Sequence, residues 1–231
     1  IGNNLFNGCS SLEEIEIPSY ITKIATNSFD NCNRLISLSF SNDSKLRSIG
    51  QKSFQFSIIT KLSFPPSLEF LEEGWCCNMS KLVDIEISPK NKNFKYIDDT
   101  FLVGKGKEKD ETVLLFVKRD IVYCVVPSCV TRIGQFSFGY CKKLNSISFK
   151  EDSQLKTIGD SAFYDSSLIS LSIPPSLERM DTNWCLNLNF MVSICVSPKN
   201  KKFVFVNESF LIFEEKILIF ARRDIGWSLS S

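Results

Sequence analysis

Over residues 12–40 apolar and polar side chains alternate in short bursts: Leu12, Ile15, Ile17, Ile21, Ile24, Phe29 and Cys32 are apolar, and a fresh start follows at Leu35. With the two-residue period of a strand, Ile15 and Ile17 point one way and Glu14 and Glu16 the other. This predicts a short strand with one buried and one solvated side. Pro18 has no N–H to give a ladder and ends it. Ile21 and Ile24 bring the chain back over the core, and NSFDNC predicts a turn or one helical turn that drops Phe29 and Cys32 inward. A unit this small cannot bury its own apolar side, so it must stack on copies of itself.

The copies follow in order. The signature apolar-x-x-apolar-x-apolar starts at Leu12, Leu35, Ile59, Leu82, Ile121, Leu144, Leu168 and Met191, with a truncated ninth at Ile225; the spacings are 23, 24, 23, 39, 23, 24, 23 and 34. A period of this size with one strand per unit lies in the leucine-rich-repeat range. Phe29, Phe54, Phe138 and Phe163 share one slot, which Trp75 and Trp184 fill in the third unit of each set. A longer repeat overlies the first. Phe29 matches Phe138, Phe54 matches Phe163, Trp75 matches Trp184, Pro89 matches Pro198 and Phe101 matches Phe210, each pair 109 residues apart. The chain is therefore a tandem duplication, with blocks at about 12–120 and 121–224. Twenty phenylalanines against five tyrosines point to rings chosen for burial.

The long fourth unit carries its own element. SPKNK is followed by FKYI or FVFV, then FLV or FLIF, a polar gap, and VLLFVKRD or ILIFARRD. Apolar runs alternating around such a gap predict a β-hairpin attached to the stack. Its loop varies in length, from GKGKEKDET at 104–112 to EEK at 214–216. The expected fold is α/β but β-rich: a leucine-rich-repeat solenoid of parallel short strands with helical turns and two inserted β-hairpins, forming a single domain over residues 1–231.

The phrase IP-S-x-I/V-T-x-I-x-x-x-x-F-x-x-C-x-x-L at Ile17–Leu35, repeated at Val126–Leu144, resembles the BspA-type leucine-rich repeat. The long unit with P-K-N-x-x-F, a hairpin and RRDI is similar to the trichomonad, surface-antigen-like versions of that family. The resemblance implies a cell-surface or secreted protein engaged in adhesion or host interaction. Two departures, Trp75 and Trp184 at the Phe position and the missing Cys in the Phe54 and Phe163 units, bear on packing.

Charge and composition narrow the chemistry. A net charge of +1, with both signs mixed along the chain, leaves no basic stripe for nucleic acid or an anionic membrane. The longest apolar run, around VLLFV, falls far short of the ~20 residues that span a bilayer. No leader pattern precedes Ile1. A start without Met and an end within a repeat at SLSS make the chain read as a piece of a longer one.

The absence of histidine removes the commonest general base together with the Ser-His and Cys-His pairs. With no C-x-x-C either, no metal site is expected. Asp120 and Asp224, after KR and RR, read as turn or cap residues. GKGK at 104–107 lacks the spacing of a phosphate loop and reads as a solvated tip. No catalytic constellation and no cofactor are expected. Of nine cysteines, Cys9, Cys32 and Cys141 share one repeat slot and Cys76 and Cys185 another, the pattern of a ladder of buried thiols. The three sequons, at Asn42, Asn78 and Asn207, are no more than composition predicts by chance.

What remains is surface. On parallel strands ~4.8 Å apart the outward positions form ladders. One runs Glu14, Ser37, Lys61, Asp84, Tyr123, Ser146, Ser170, Ser193; the other Glu16, Ser39, Ser63, Glu86, Val125, Ser148, Ser172, Cys195. Glu14, Glu16, Lys61, Asp84, Glu86, Tyr123 and Val125 are the candidate ligand-binding residues, with Tyr123 and Val125 the one apolar interruption. The functional expectation is a non-catalytic protein- or glycan-binding repeat module at the cell surface. The alternative is a cytoplasmic leucine-rich-repeat scaffold.

Overall fold

The computed structural model of the chain describes residues 1–206, 210–214 and 217–221. The truncated repeat at Ile225, the RRD run at 222–224 and the Asn207 sequon lie outside the described residues. The first block lays down β1 (Glu14–Ile17), β2 (Lys23–Ile24), β3 (Ser37–Phe40), β4 (Ser48–Ile49), β5 (Lys61–Phe64), β6 (Phe70–Leu71) and β7 (Asp84–Ile87). The insert follows as β8 (Phe94–Ile97), β9 (Phe101–Lys105) and β10 (Thr112–Val117). The second block repeats the order with β11 (Tyr123–Val126), β12 (Arg132–Ile133), β13 (Ser146–Phe149), β14 (Thr157–Ile158), β15 (Ser170–Ile173), β16 (Arg179–Met180) and β17 (Ser193–Val196), and then its own insert with β18 (Phe203–Val206), β19 (Phe210–Phe213) and β20 (Ile217–Ala221). Each ordinary coil thus contributes one four-residue and one two-residue strand; the short strands pair in parallel from coil to coil within each block, and the long ones do so except between β3 and β5.

No helix occurs among the described residues, which corrects the α/β label and the helical turns expected at NSFDNC. The reason lies in the backbone. Asn27 and Asn31 have φ of 56° and 59°, and their counterparts Phe136 and Tyr140 have 58° and 62°. Left-handed residues interrupt the i to i−4 closure of a helix. The amides reach the neighbouring coil instead: Phe6 N donates to Ser28 O at 2.8 Å, Phe29 N to Ser53 O at 2.8 Å, Phe138 N to Ala162 O at 2.9 Å and Tyr140 N to Tyr164 O at 2.9 Å. The turn is thus a third inter-coil ladder. Asparagine suits the left-handed region, whereas a bulky ring there is costly. Buried Phe136 packs its ring 5.3 Å from that of Tyr164, and Tyr140 donates its hydroxyl to Asn78 Oδ1 at 2.7 Å.

Phenylalanine fills the axis as the repeat slots require. Phe6, Phe29 and Phe54 stack at 5.0 and 5.7 Å, and Phe138, Phe163 and Trp184 continue at 5.3 and 6.0 Å. The inserts are three-stranded antiparallel meanders rather than the two-stranded hairpins expected. The first is also no external appendage. Leu102, Val113, Leu115 and Phe116 pack into the core of the first block, while Phe101, Val103, Leu114 and Val117 pack into that of the second. β10 then pairs in parallel with β12 and so opens the second ladder of short strands. Gly104 is needed for this wedge, because a Cβ there would lie 2.8 Å from both Leu115 Cδ1 and Phe94 Cδ1.

The SPKN motif launches the insert. Asn91 donates through Nδ2 to Leu68 O at 2.9 Å and Pro65 O at 3.1 Å, and its Oδ1 accepts from the amides of Asn93 and Phe94 at 2.8 and 3.1 Å. Asn200 repeats the set on Pro174, Leu177, Lys202 and Phe203. At the other end of the first insert, the buried Arg119 donates to Ser137 O at 2.8 Å and Phe136 O at 3.4 Å, with its guanidinium 4.3 Å from the Phe116 ring.

Candidate functional site

The long strands present the outward ladders in the register that the repeat requires, but in three separate stretches. Glu14 stands opposite Ser37 and Glu16 opposite Ser39 on β1 and β3. Lys61 stands opposite Asp84 and Ser63 opposite Glu86 on β5 and β7. Tyr123, Ser146, Ser170 and Ser193 share the four-stranded sheet of β11, β13, β15 and β17. β3 and β5 lie side by side without a common ladder, and β7 and β11 share none, because the chain leaves through the meander between them. The single continuous ladder expected from the repeat is therefore interrupted twice.

The candidate residues fall into three local settings. Glu14 and Glu16 are exposed at the first coil. Lys61, Asp84 and Glu86 are brought together: Lys61 Nζ lies 2.6 Å from Glu86 Oε1 and 3.9 Å from Asp84 Oδ2, and Ser63 Oγ donates to Glu86 at 2.8 Å. The hydrogen bond to Glu86 raises the Lys61 pKa, and the bond from Lys61 lowers that of Glu86. Both groups are solvated, so the pair neutralises charge more than it stabilises the fold. Tyr123 and Val125 stand 77% and 46% exposed at the start of the second block.

Asp84 and Glu86 also border a cleft of about 560 Å³ between β7 and β8, shared with Tyr96, Asp99 and Lys118. Lys118 Nζ is 2.9 Å from Asp99 Oδ2, 3.8 Å from Asp84 Oδ1 and 5.4 Å from the centre of the Tyr96 ring. The Asp99 hydrogen bond raises the Lys118 pKa, and burial raises that of the Tyr96 hydroxyl. The chain's own lysine thus already sits as the cation in this cleft.

Of the thiols in the repeat slot, Cys32 and Cys141 are fully buried. Cys32 donates to Phe6 O at 3.0 Å. Cys9 in the same slot is exposed. Burial pushes the Cys76 thiol up to about 11 and the Cys77 and Cys124 thiols up to about 12, so none of these is a nucleophile at neutral pH. Among the described residues no group of three or more Cys, Asp or Glu could hold a metal ion, and no helix is long and apolar enough to cross a membrane.

A second concavity escaped the sequence reading. It is a groove of about 1270 Å³ over the short-strand ladder of β12, β14 and β16, walled by the loop at 107–111 on one side and by Lys202 and Phe213 on the other. Only the length of the GKGKEKDET loop hinted at a wall there.

Comparison with known proteins agrees with this architecture. The family model described as the BspA type leucine rich repeat region matches in six copies over residues 1–102 and 114–210. A leucine-rich repeat protein from Eubacterium ventriosum superposes with a TM-score of 0.70 at 22% identity, covering 87% of this chain and 58% of its own. The pneumococcal vaccine antigen PcpA gives 0.66 at 23% identity, covering 82% and 52%. A leucine rich cell surface protein from Faecalibacterium prausnitzii gives 0.59 at 17% identity, covering 84% and 62%. The chain thus spans about half to three-fifths of the length of these structures. No curated protein sequence matches it.

Proposed function

The chain belongs to the BspA-type leucine-rich-repeat family, and we propose that it is a non-catalytic binding module that engages a protein or glycan partner at the cell surface. The observation that carries the reading is the division of labour within each coil. Inward positions are given over to packing, and the outward ladders project side chains of varied chemistry from a rigid sheet. Tyr123 and Val125, exposed in the middle of the stack, supply the amphipathic contact that interfaces favour. The cell-surface character of the Faecalibacterium prausnitzii neighbour supports the location.

The test is surface biotinylation of the full-length protein on intact cells with a cytosolic marker as control, followed by matrix and cell binding with Tyr123→Ser combined with Val125→Ser. Labelling at the surface and weakened binding are expected. Protection from the reagent removes the surface reading. Unchanged binding removes this face.

A second reading, an intracellular scaffold of the same fold, is favoured by the exposed thiols Cys9, Cys129 and Cys195, which suit a reducing compartment. Thiol titration of protein recovered from cells separates the two: reduced exposed cysteines fit the scaffold and capped or oxidised ones the surface.

A further inference from the structure

We propose that the groove between the two inserts is a binding site for a neutral, extended oligosaccharide. Its floor is the outward ladder Arg132, Thr157 and Arg179, held in register by parallel pairing. The coils present one outward residue every ~4.8 Å along the floor. The lining is polar at every position except Phe213. A protein partner docks around buried apolar anchors, and this groove offers no cluster of them.

Charge decides the ligand's character. Six basic and five acidic side chains line the groove, so neither a polyanion nor a polycation is drawn to it. Several of these charges are already engaged. Arg132 pairs with Glu73 at 2.8 Å and with Asp181 at 3.3 Å, Lys202 pairs with Glu214, and Glu111 Oε2 accepts from the amides of Lys107 and Glu108 at 3.0 and 3.3 Å. Lys156 and Glu178 stand exposed on the floor in no ion pair among the described residues. One offers donors and the other acceptors, as sugar hydroxyls require. Their counterparts one block earlier, Arg47 and Glu69, are paired with each other at 3.8 Å. Phe213 rests 5.1 Å from the buried Phe203 ring, which fixes an aromatic platform at the groove's edge for the C–H face of a pyranose.

The site deepens the binding-module reading, but its test is independent of cells or adhesion. Cellotetraose, tetra-N-acetylchitotetraose and tetragalacturonate are titrated against the whole chain and followed by saturation-transfer NMR and calorimetry. The expected result is binding of at least one neutral tetrasaccharide, with an affinity that hardly changes between about 0.05 and 0.5 M salt. Lys156→Ala with Glu178→Gln weakens it by roughly tenfold or more. Arg47→Ala with Glu69→Gln, on the equivalent coils outside the groove, leaves it unchanged. All four side chains are on the surface, and an unaltered thermal midpoint shows that folding is intact.

Three results overturn the proposal: no binding of either neutral sugar, an equal loss in both pairs of variants, or binding of tetragalacturonate alone with steep salt dependence. Failure here with adhesion intact rejects the groove and leaves the module reading standing. Saccharide binding by a protein that proves to be intracellular does the reverse.

Discussion

Replacing Asn91 by alanine removes one side chain and the five hydrogen bonds it makes. The amides of Asn93 and Phe94 and the carbonyls of Pro65 and Pro66 lose their side-chain partner, and Leu68 O keeps only the 3.2 Å bond from Asn93 Nδ2. A typical intramolecular hydrogen bond is worth ~0.5–1.5 kcal/mol net, and a buried group left unsatisfied costs ~1–3 kcal/mol. Asn91 is half-buried, so water reaches part of the vacated set. The expected cost is about 2–4 kcal/mol, below the simple sum. Asn93→Ala, which loses a single 3.2 Å bond to Leu68 O, is the internal control at about 0.5–1.5 kcal/mol.

Aspartate at 91 makes a sharper test. It keeps the acceptor oxygen but turns a carboxylate oxygen toward two carbonyls, so at neutral pH it should cost at least as much as alanine. The carbonyls of Pro65 and Leu68 disfavour the ionised acid and the amides of Asn93 and Phe94 favour it; where the carbonyls prevail, the folded pKa of Asp at this position lies above the unfolded value of ~3.9. The deficit of Asn91→Asp relative to the parent is then smallest below that value and grows as pH rises through the folded pKa. Urea unfolding followed by circular dichroism, run on all three variants at two pH values, measures this. Asn91→Ala within about 0.5 kcal/mol of the parent, or Asn91→Asp equal to it at pH 7, would refute the assignment of the motif as a hydrogen-bonding clamp.

Three further outcomes are expected. Phe138→Ala, on the buried axis beside Phe163, should cost about 3–5 kcal/mol, and Lys107→Ala, on the exposed loop, close to nothing; equal losses in urea unfolding would contradict the register. Arg119→Lys should destabilise by about 1–3 kcal/mol, since one ammonium cannot reproduce the fork that serves Ser137 O and Phe136 O; full stability by thermal melting would show that the guanidinium is not a fastener. Exposed Cys9, Cys129 and Cys195 should react with a disulfide reagent in the native protein, and buried Cys76, Cys77 and Cys124 only on unfolding. Because burial raises these thiol pKa values, their contribution to stability is fully present below the ordinary thiol value of 9.0 and is lost as pH rises toward 11–12, visible as a falling melting temperature.

Strand, register and core were legible because each rests on a local pattern repeated many times. Ile15 and Ile17 against Glu14 and Glu16 set one strand, and Phe29, Phe54, Phe138 and Phe163 set the axis. The absent helical turn was not legible. NSFDNC reads equally as a turn or one helical turn, and what decides against the helix is the amide ladder to the next coil. That ladder forces Asn27 and, against its own preference, Phe136 into left-handed geometry. A tertiary hydrogen bond overrode a residue's propensity, as it can when every coil demands the same thing.

The insert was misread for a related reason. VLLFV alternates only weakly, and as an isolated run it is compatible with an external hairpin. Its apolar residues prove to face two cores at once: Val113 and Leu115 one block, Leu114 and Val117 the other. An unbroken apolar run is what a strand buried on both faces should carry, so the signal was present but lacked its partner. The groove had no such signal. Lys156 and Glu178 look like their counterparts Arg47 and Glu69 in every local respect, and among the described residues it is the second-block pair that has an insert on either side. Duplication therefore yields two blocks with matching words and different surfaces, because the wedge that joins them walls one block's short-strand face and not the other's. A substitution that alters ligand binding at Lys156 but not at Arg47 would be the direct sign of that asymmetry.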